Sequence, residues 1–451
     1  MGTQLTSVGI AREEALKALA RVRRGAPVSD AIQAGRRVSP QDRALMTQLV
    51  YGVLRHQRYL DAWMKPYLRT PLDPDVANIL RLAFFQLGFL DRVPAYAVVN
   101  AAVEQTKAHQ PRAANLVNAI LRRGAAHPPE GLSLGEQYSH PDWLVERWRK
   151  RYGVRVEDIL KADNQVPPLT FRVNLSRTSR AAVLEQLAEM GIQADPSPYL
   201  PEAIRVSGAV WLEDLPAFRE GLVTVQDESG MLVAWVLDPQ PGQLVCDMAA
   251  GLGGKAIHAL ERASDTVRLT ALDISEARLA RLKENLARTR YQDSVRIVHS
   301  PAERYAAQHS GEFDRVILDA PCSGLGVLRR RVDARWKKTE ADFSDLAAEQ
   351  RSLLESAWTL VKRGGIIVYS TCSTEPEETE AVLRGILDRH PDMVKEDVSP
   401  YLPHEALGAL VEDKALVLAP GDLGMDGFYI ARIRVGIAGL PGSEPPITKE
   451  G

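Results

Sequence analysis

The sequence predicts a multidomain protein: an all-α bundle, then a small α+β module, then an α/β domain on a mostly parallel sheet. Three observations predict it. Apolar residues recur at helical spacing through residues 10–124. A Gly-, Pro- and Ser-rich stretch follows at 125–138. From about residue 221, short apolar runs alternate with helical stretches. The 451 residues are 45% hydrophobic and 25% charged, which excludes a disordered, collagen-like or disulfide-scaffold chain. Domain boundaries are expected at 1–130, 136–220 and 221–436, with a Gly- and Pro-rich disordered tail at 437–451.

The helical part rests on stripes such as VANILRLAFFQLGFL (76–90), with apolar residues at 76, 79, 80, 83, 84 and 87. Asp73-Pro74 supplies a cap and a first-turn proline. Residues 41–57 and 96–108 read alike, so a compact bundle is expected. After the 125–138 linker, HPDWLVERWRKRYG interleaves Trp143, Trp148 and Tyr152 with Arg147, Arg149, Lys150 and Arg151. That pattern suits phosphate and base contact, or equally an amphipathic helix burying Trp143 and Leu144. LTFRVN (169–174) and SRAAVLEQLAEMG (179–191) read as strand and helix of the small module. Strands of the large domain are expected at 244–248, 267–273, 295–299, 313–319 and 365–371, with a last one in 426–435.

The formal net charge of −2 argues against a nucleic-acid partner, but it hides an asymmetry. Residues 1–124 carry 18 Lys and Arg against 9 Asp and Glu, a net +9 that leaves −11 for the rest. A basic amino-terminal piece is a footprint of polyanion binding, the alternative being a basic domain docked on an acidic one. Cys246, Cys322 and Cys372 have no paired spacing, so neither a disulfide framework nor a zinc site is expected. No apolar run is long enough for a membrane span and the start lacks the order of a signal peptide. A reduced, cytoplasmic compartment is expected.

The strand at 244–248 runs into Ala249, Ala250, Gly251, Leu252, Gly253, Gly254 and Lys255, then a helix. Such a turn lets a ligand approach backbone N–H groups at the helix start, though tight turns need glycine too. The next strand ends at Asp273, 22 residues after Gly251, where a carboxylate suits the two hydroxyls of a ribose. The loop lacks the G-x-G-x-x-G order of a dinucleotide site. It also lacks a full phosphate loop, because Ala256 follows Lys255. An adenosine ligand without a pyrophosphate is favoured, with S-adenosylmethionine the candidate.

Two further strands end in Asp319-Ala320-Pro321-Cys322 and Tyr369-Ser370-Thr371-Cys372. Ligands of an open parallel sheet bind beyond the carboxyl ends of its strands. A cysteine is more often a small buried hydrophobe, but two at matched strand ends point to nucleophilic chemistry.

The motifs DMAAGLGGK, DAPCSGLGVLRRRVDARW, YSTCSTEPEE and DGFY resemble the RNA 5-methylcytosine methyltransferases. VPAYAVVNAAVEQTK and NLVNAILRR resemble a NusB-type RNA-binding domain. Together they resemble the bacterial enzymes of that family acting on small-subunit ribosomal RNA, over nearly the whole chain except the tail. The resemblance implies a Rossmann-like class I methyltransferase domain, S-adenosylmethionine as methyl donor, no metal, and a 16S ribosomal RNA substrate that is unpaired or partly folded. It implies Cys372 as nucleophile, Cys322 in loss of the C5 proton and release, and Asp319 against the N3/N4 edge of cytosine. It places the cofactor on Ala249 to Lys255 and Asp319, with Asp273 on the ribose and Arg278 near the same end.

Three positions depart from the family. Pro301 stands where an acidic residue would contact adenine, leaving Glu303 or the Ala302 backbone as substitutes, and Leu252 and Val332 each replace a proline. The loop holding Arg329, Arg330, Arg331, Arg335 and Trp336 follows the first cysteine motif, and RNA contact is expected of it. A monomer is expected. A transfer RNA cytosine-5 methyltransferase and a non-catalytic assembly factor with the same fold are the rival readings.

Overall fold

The computed structural model describes residues 7–35, 39–91, 93–208 and 210–436. The expected tail at 437–451 lies outside the described residues. The described residues form two compact units: those up to 166 together with 328–338, and 167–327 together with those from 339 onward.

The amino-terminal unit is helical. The expected helices are Pro40–Arg55, Pro74–Phe89 and Ala95–His109. Asp73 caps the second as its sequence implies, accepting the N–H groups of Asp75 and Val76. Leu49, Val53, Ile79, Leu80, Ala83, Phe84, Val117 and Leu121 form its core. Helices Asp142–Tyr152 and Val156–Asn164 belong to this unit and not to the small sheet that follows. Trp148 is buried, so for this ring the amphipathic-helix reading holds and base stacking does not.

The segment 328–338 also belongs to the amino-terminal unit, although its sequence neighbours on both sides belong to the other. Val332 joins the helical core.

The second unit holds two sheets. The smaller has strands β1 (Leu169–Val173), β2 (Ala194–Pro196), β3 (Ala203–Val206) and β4 (Val223–Val225), antiparallel in the order β2-β3-β1-β4. Helix Arg180–Glu189 covers it, with Val183 and Leu187 against Phe171 and Ile204. The small module therefore runs past the expected boundary at 220, because Val223 pairs with Val173.

The larger sheet contains β5 (Leu244–Asp247), β6 (Arg268–Asp273), β7 (Val295–His299), β8 (Phe313–Asp319), β9 (Val361–Thr371), β10 (Met393–Glu396), β11 (Val411–Glu412), β12 (Ala415–Leu418) and β13 (Phe428–Val435). Its order is β11-β12-β13-β9-β8-β5-β6-β7, with β10 on β13. Strands β5 to β9 are parallel; β10 to β13 pair antiparallel, with β13 against β9. The chain moves outward from β5 in one direction through β6 and β7, then returns to β8 on its other side. That reversal opens a crevice beyond the carboxyl ends of β5, β6 and β8. The three short strands β10, β11 and β12 were not expected from sequence; runs of two to four residues carry too little period.

The small sheet bears directly on that crevice. Arg172 of β1 is fully buried and donates to both carboxylate oxygens of Glu261 at 2.7 and 3.1 Å. It also donates to the Gly254 carbonyl at 2.8 Å. Both partners lie on helix Gly254–Arg262, which begins at the glycine-rich turn. A guanidinium binding two carboxylate oxygens and a carbonyl fixes that helix in angle as well as position. No helix among the described residues is long and apolar enough to cross a membrane.

Candidate active site

The ends of β5, β6, β8 and β9 bring the site together. At the end of β5 the loop 249–253 turns back under backbone bonds from Ala250 N–H to the Leu272 carbonyl and from Gly253 N–H to the Ala250 carbonyl. Gly253 has φ +86°, and a Cβ there would lie 2.3 Å from Leu282. The backbone conformation favours glycine at that point. A Cβ on Gly254 would meet nothing within 4 Å, and on Gly251 only the Ala249 carbonyl at 3.9 Å. The loop thus leaves an open cradle at the start of a helix.

Asp273 closes one end of the cradle. Its carboxylate is buried and accepts the N–H groups of Gly251 at 2.9 Å and Ser275 at 2.8 Å, with Arg278 at 3.7 Å. Remaining acceptor capacity on this carboxylate suits a pair of ligand hydroxyls. Ile274, beside it, is 69% exposed, and Leu252 of the loop is 43% exposed. Two apolar side chains left in the open at a polar rim suit a flat, weakly polar ring. Glu303 is exposed, 3.5 Å from the Ser352 hydroxyl, and Ala302 is buried in the first turn of helix Ala302–Ala306.

At the other end, Lys255 donates to Asp319 at 2.6 Å, and the Ser370 hydroxyl donates to the second Asp319 oxygen at 3.0 Å. Burial by itself would lower the Lys255 ammonium; the charge and hydrogen bond of Asp319, with Asp247 and Cys372, carry it above its usual value. Asp247 at the end of β5 is buried, and burial raises its carboxyl to about 7, against the opposing pull of Lys255.

The two sulfurs meet: Cys322 Sγ and Cys372 Sγ are 3.1 Å apart. The Cys322 thiol is pushed well up by its hydrogen bond to Cys372, by burial, and by the charges of Cys372, Glu378 and Asp319. Cys246 is buried in the sheet, its thiol also pushed up by burial, and lines no part of this cluster. Two glycines let the cysteine loops close on each other. Gly326 donates to the Cys372 carbonyl at 3.0 Å and accepts from Gly427 N–H at 2.7 Å. A Cβ on Gly326 would stand 2.2 Å from the Gly427 carbonyl oxygen. This contact explains why both CSGLG and DGFY carry glycine where they do.

Sequence reasoning missed three members. Asp247 was signalled by a carboxylate just ahead of the glycine turn, Ser370 by its place three residues from the end of the YSTCS motif. Glu378 lies in the motif STEPEE but nothing in the sequence shows where it reaches. Its carboxylate is fully buried, accepting from Ser323 N–H and from the hydroxyls of Ser323 and Ser373.

The expected RNA-contact residues belong to the amino-terminal unit and not to this cluster. Arg149 and Lys150 are exposed, 3.4 and 3.8 Å from Glu146. Arg147 and Arg151 are half-buried, the latter 5.2 Å from the Tyr152 ring. In the 328–338 segment Arg331 is exposed and Arg330 half-buried. The expectation fails for Arg335 and Arg329, which are 0% and 3% exposed. Arg335 spends its donors inside the unit, on the carbonyls of Arg55, Ser139 and Asp163 and on the Asn164 side chain. Trp336 is partly buried and donates to the Leu54 carbonyl at 3.3 Å. Among the described residues no group of three or more His, Cys, Asp or Glu side chains could hold a metal ion.

Comparison with known proteins matches three successive stretches of the chain. Residues 234–434 match the model of the 16S rRNA methyltransferase RsmB/F family, residues 10–126 the NusB family, and residues 140–213 the ferredoxin-like domain of RsmF/B-like methyltransferases. The chain is 37% identical over 412 residues to a Synechocystis protein named "Probable ribosomal RNA small subunit methyltransferase B", covering 88% of this chain and 92% of that one. It is 34% identical over 411 residues to the Yersinia pestis ribosomal RNA small subunit methyltransferase B, covering 88% and 91%. A crystal structure described as PH0851 matches with TM-score 0.80 and 26% identity over 96% of this chain and all of that one. The paired strand-end cysteines, the cradle at β5 and the helical, ferredoxin-like and methyltransferase parts in this order place the chain in the RsmB/F family of 16S rRNA methyltransferases.

Proposed function

We propose that this protein methylates C5 of a cytosine in 16S ribosomal RNA through a covalent adduct between Cys372 and cytosine C6. The observation that carries the reading is the 3.1 Å approach of two sulfurs at the ends of β8 and β9, next to the Lys255–Asp319 pair. A single cysteine would serve as a nucleophile; two in contact suit a reaction that must both form and break a carbon–sulfur bond.

The chain's residues divide the work. Ala249 to Lys255, with Asp273, Arg278 and the exposed Ile274, would hold S-adenosylmethionine, and Ala302 and Glu303 would take its adenine end. When bound, this group supplies a methyl carbon activated by a sulfonium charge. The Cys372 thiolate adds to C6, which places electron density on C5 and makes it nucleophilic. Asp319 accepts from the N4 amino group at the N3/N4 edge, and the Lys255 ammonium beside it offsets the negative charge that develops on the ring. Once C5 carries its methyl group, Cys322 as thiolate takes the C5 proton, the C6–S bond breaks, and the electron pair returns to Cys372. No step needs a metal ion. The target base must stand out of its stack, which favours an unpaired or partly folded substrate. Arg147, Arg149, Lys150, Arg151, Arg330 and Arg331 would follow the RNA backbone. The reading has the protein working as a monomer in the cytoplasm, where thiols stay reduced.

The test is methyl transfer from labelled S-adenosylmethionine to unmodified 16S ribosomal RNA, mapped by bisulfite sequencing, with transfer RNA assayed alongside. One protected cytosine in 16S RNA is expected. Label only in transfer RNA would move the substrate to that class, and label at a base other than cytosine would end the reading.

A further inference from the structure

The two cysteines stand at equivalent strand ends, yet their surroundings differ in charge. On one flank the Lys255 ammonium holds Asp319 and acts on Cys372. On the other flank lies Glu378, without exposed surface, in the turn Pro376–Glu378. One of its oxygens accepts Ser323 N–H at 2.7 Å and the Gln350 amide at 3.2 Å. Its other oxygen accepts the hydroxyls of Ser323 and Ser373, each at 2.5 Å. Gln350 also donates to the Pro321 carbonyl at 2.8 Å, and the Tyr369 hydroxyl to the Glu378 carbonyl at 2.7 Å. One side chain therefore grips the residue that follows each cysteine, while its backbone and its neighbour Gln350 tie down the residues that lead in.

Burying a carboxylate is costly unless hydrogen bonds replace its water. A scaffold that needed only to join two loops could use an uncharged amide. The carboxylate adds a fixed negative charge held against both cysteine loops, and that charge acts on Cys322. We infer that Glu378 is a positioning residue that clamps the two cysteine loops in register and assigns their single shared proton to Cys322, leaving Cys372 as the thiolate.

The groups facing Cys322 support this assignment. They include Cys372 from the end of β9, Tyr369 within β9, Asp319 from the end of β8 and Glu378 from the turn. The cation Lys255 acts on Asp319 and Cys372. The inference rests on the proposed reaction for its catalytic consequence. After Cys372 bonds to C6, its hydrogen bond and charge no longer hold the proton on Cys322. Cys322 then yields that proton to solvent and takes the C5 proton in exchange. When the C6–S bond breaks, Cys372 is again the thiolate and Cys322 the thiol, with one proton released per methyl transferred.

The test uses Glu378→Gln in the full chain, which keeps size and most hydrogen-bonding capacity but removes the charge. Alkylation of Cys322 by iodoacetamide, read by peptide mass in a Cys372→Ser background, is expected to shift toward lower pH by about one unit relative to the same background with Glu378. In the chain with both cysteines, kcat should fall about 10- to 100-fold with KM for RNA unchanged. An unmoved alkylation profile overturns the inference, and so does an unchanged kcat. The alkylation assay contains no RNA, so it judges Glu378 even if methyl transfer is absent from the parent protein, an outcome that would instead end the proposed function. If Glu378→Gln does not fold by circular dichroism, Ser373→Ala removes one hydroxyl from the clamp. A fall in kcat at constant KM then supports it and an unchanged kcat overturns it.

Discussion

At the residue scale, opposite outcomes are expected from the two thiols. Cys372→Ser should lower methyl transfer by on the order of a thousandfold or more while RNA affinity stays put. Cys322→Ala should stop the cycle after methyl transfer and accumulate a protein–RNA adduct that disappears in the double substitution. A denaturing gel reads it: a slow band in Cys322→Ala alone is the expected result, and normal turnover without a band would remove Cys322 from product release. That both cysteines stand at one site was legible in the sequence because a parallel sheet fixes where its strand ends point, whereas the role of each is implied by the family resemblance alone. Cys322, Cys372, Asp319 and Asp273 all sit at such ends. Glu378 was not legible. It comes after the strand, in a turn whose return path depends on tertiary packing, and an acidic run is normally a solvated one.

At the element scale, the segment 328–338 shows how a run of charge misleads. Guanidinium donors recognise buried carbonyls as well as phosphates, and the sequence looks the same for both. Here Arg335 gathers three carbonyls and the Asn164 side chain from three separate stretches of the amino-terminal unit. Arg335→Met should destabilise that unit by about 3 kcal/mol, since those acceptors lose their partner inside the fold. Arg331→Glu, on the exposed side, should leave stability within about 0.5 kcal/mol. It should flatten the dependence of RNA affinity on salt by about one in slope. Urea unfolding and binding titrations at two salt concentrations separate the two. Equal stability of both variants would return Arg335 to the surface.

At the scale of the whole molecule, acid sensitivity has an identifiable source in the amino-terminal unit. His56 is stacked on Phe89 at 4.2 Å, and burial, with the charges of Arg55 and Arg335, lowers its pKa from 6.5 to about 3. The folded protein therefore refuses a proton that the unfolded chain accepts. Stability from this residue is present above pH 6.5 and lost as pH falls below it. His56→Phe keeps the stack and removes the titration. Its stability relative to the parent should rise by about 2 kcal/mol between pH 7.5 and pH 5. A constant difference across that range would rule out His56 as the cause.

The same scale shows what the sequence could carry. The order of helices and parallel strands was legible from period alone, to within a few residues for β6, β7 and β8. Which unit owned helix Asp142–Tyr152 or segment 328–338 was not, because ownership is decided by long-range packing that no local pattern records.

The closing of Gly427 onto Gly326 ties the first cysteine loop to the start of the final strand, about a hundred positions downstream. During synthesis, then, a partly made chain holds both thiols but not the brace that seats them. Seating of the first cysteine loop then waits on residues made about fifty positions after the second thiol.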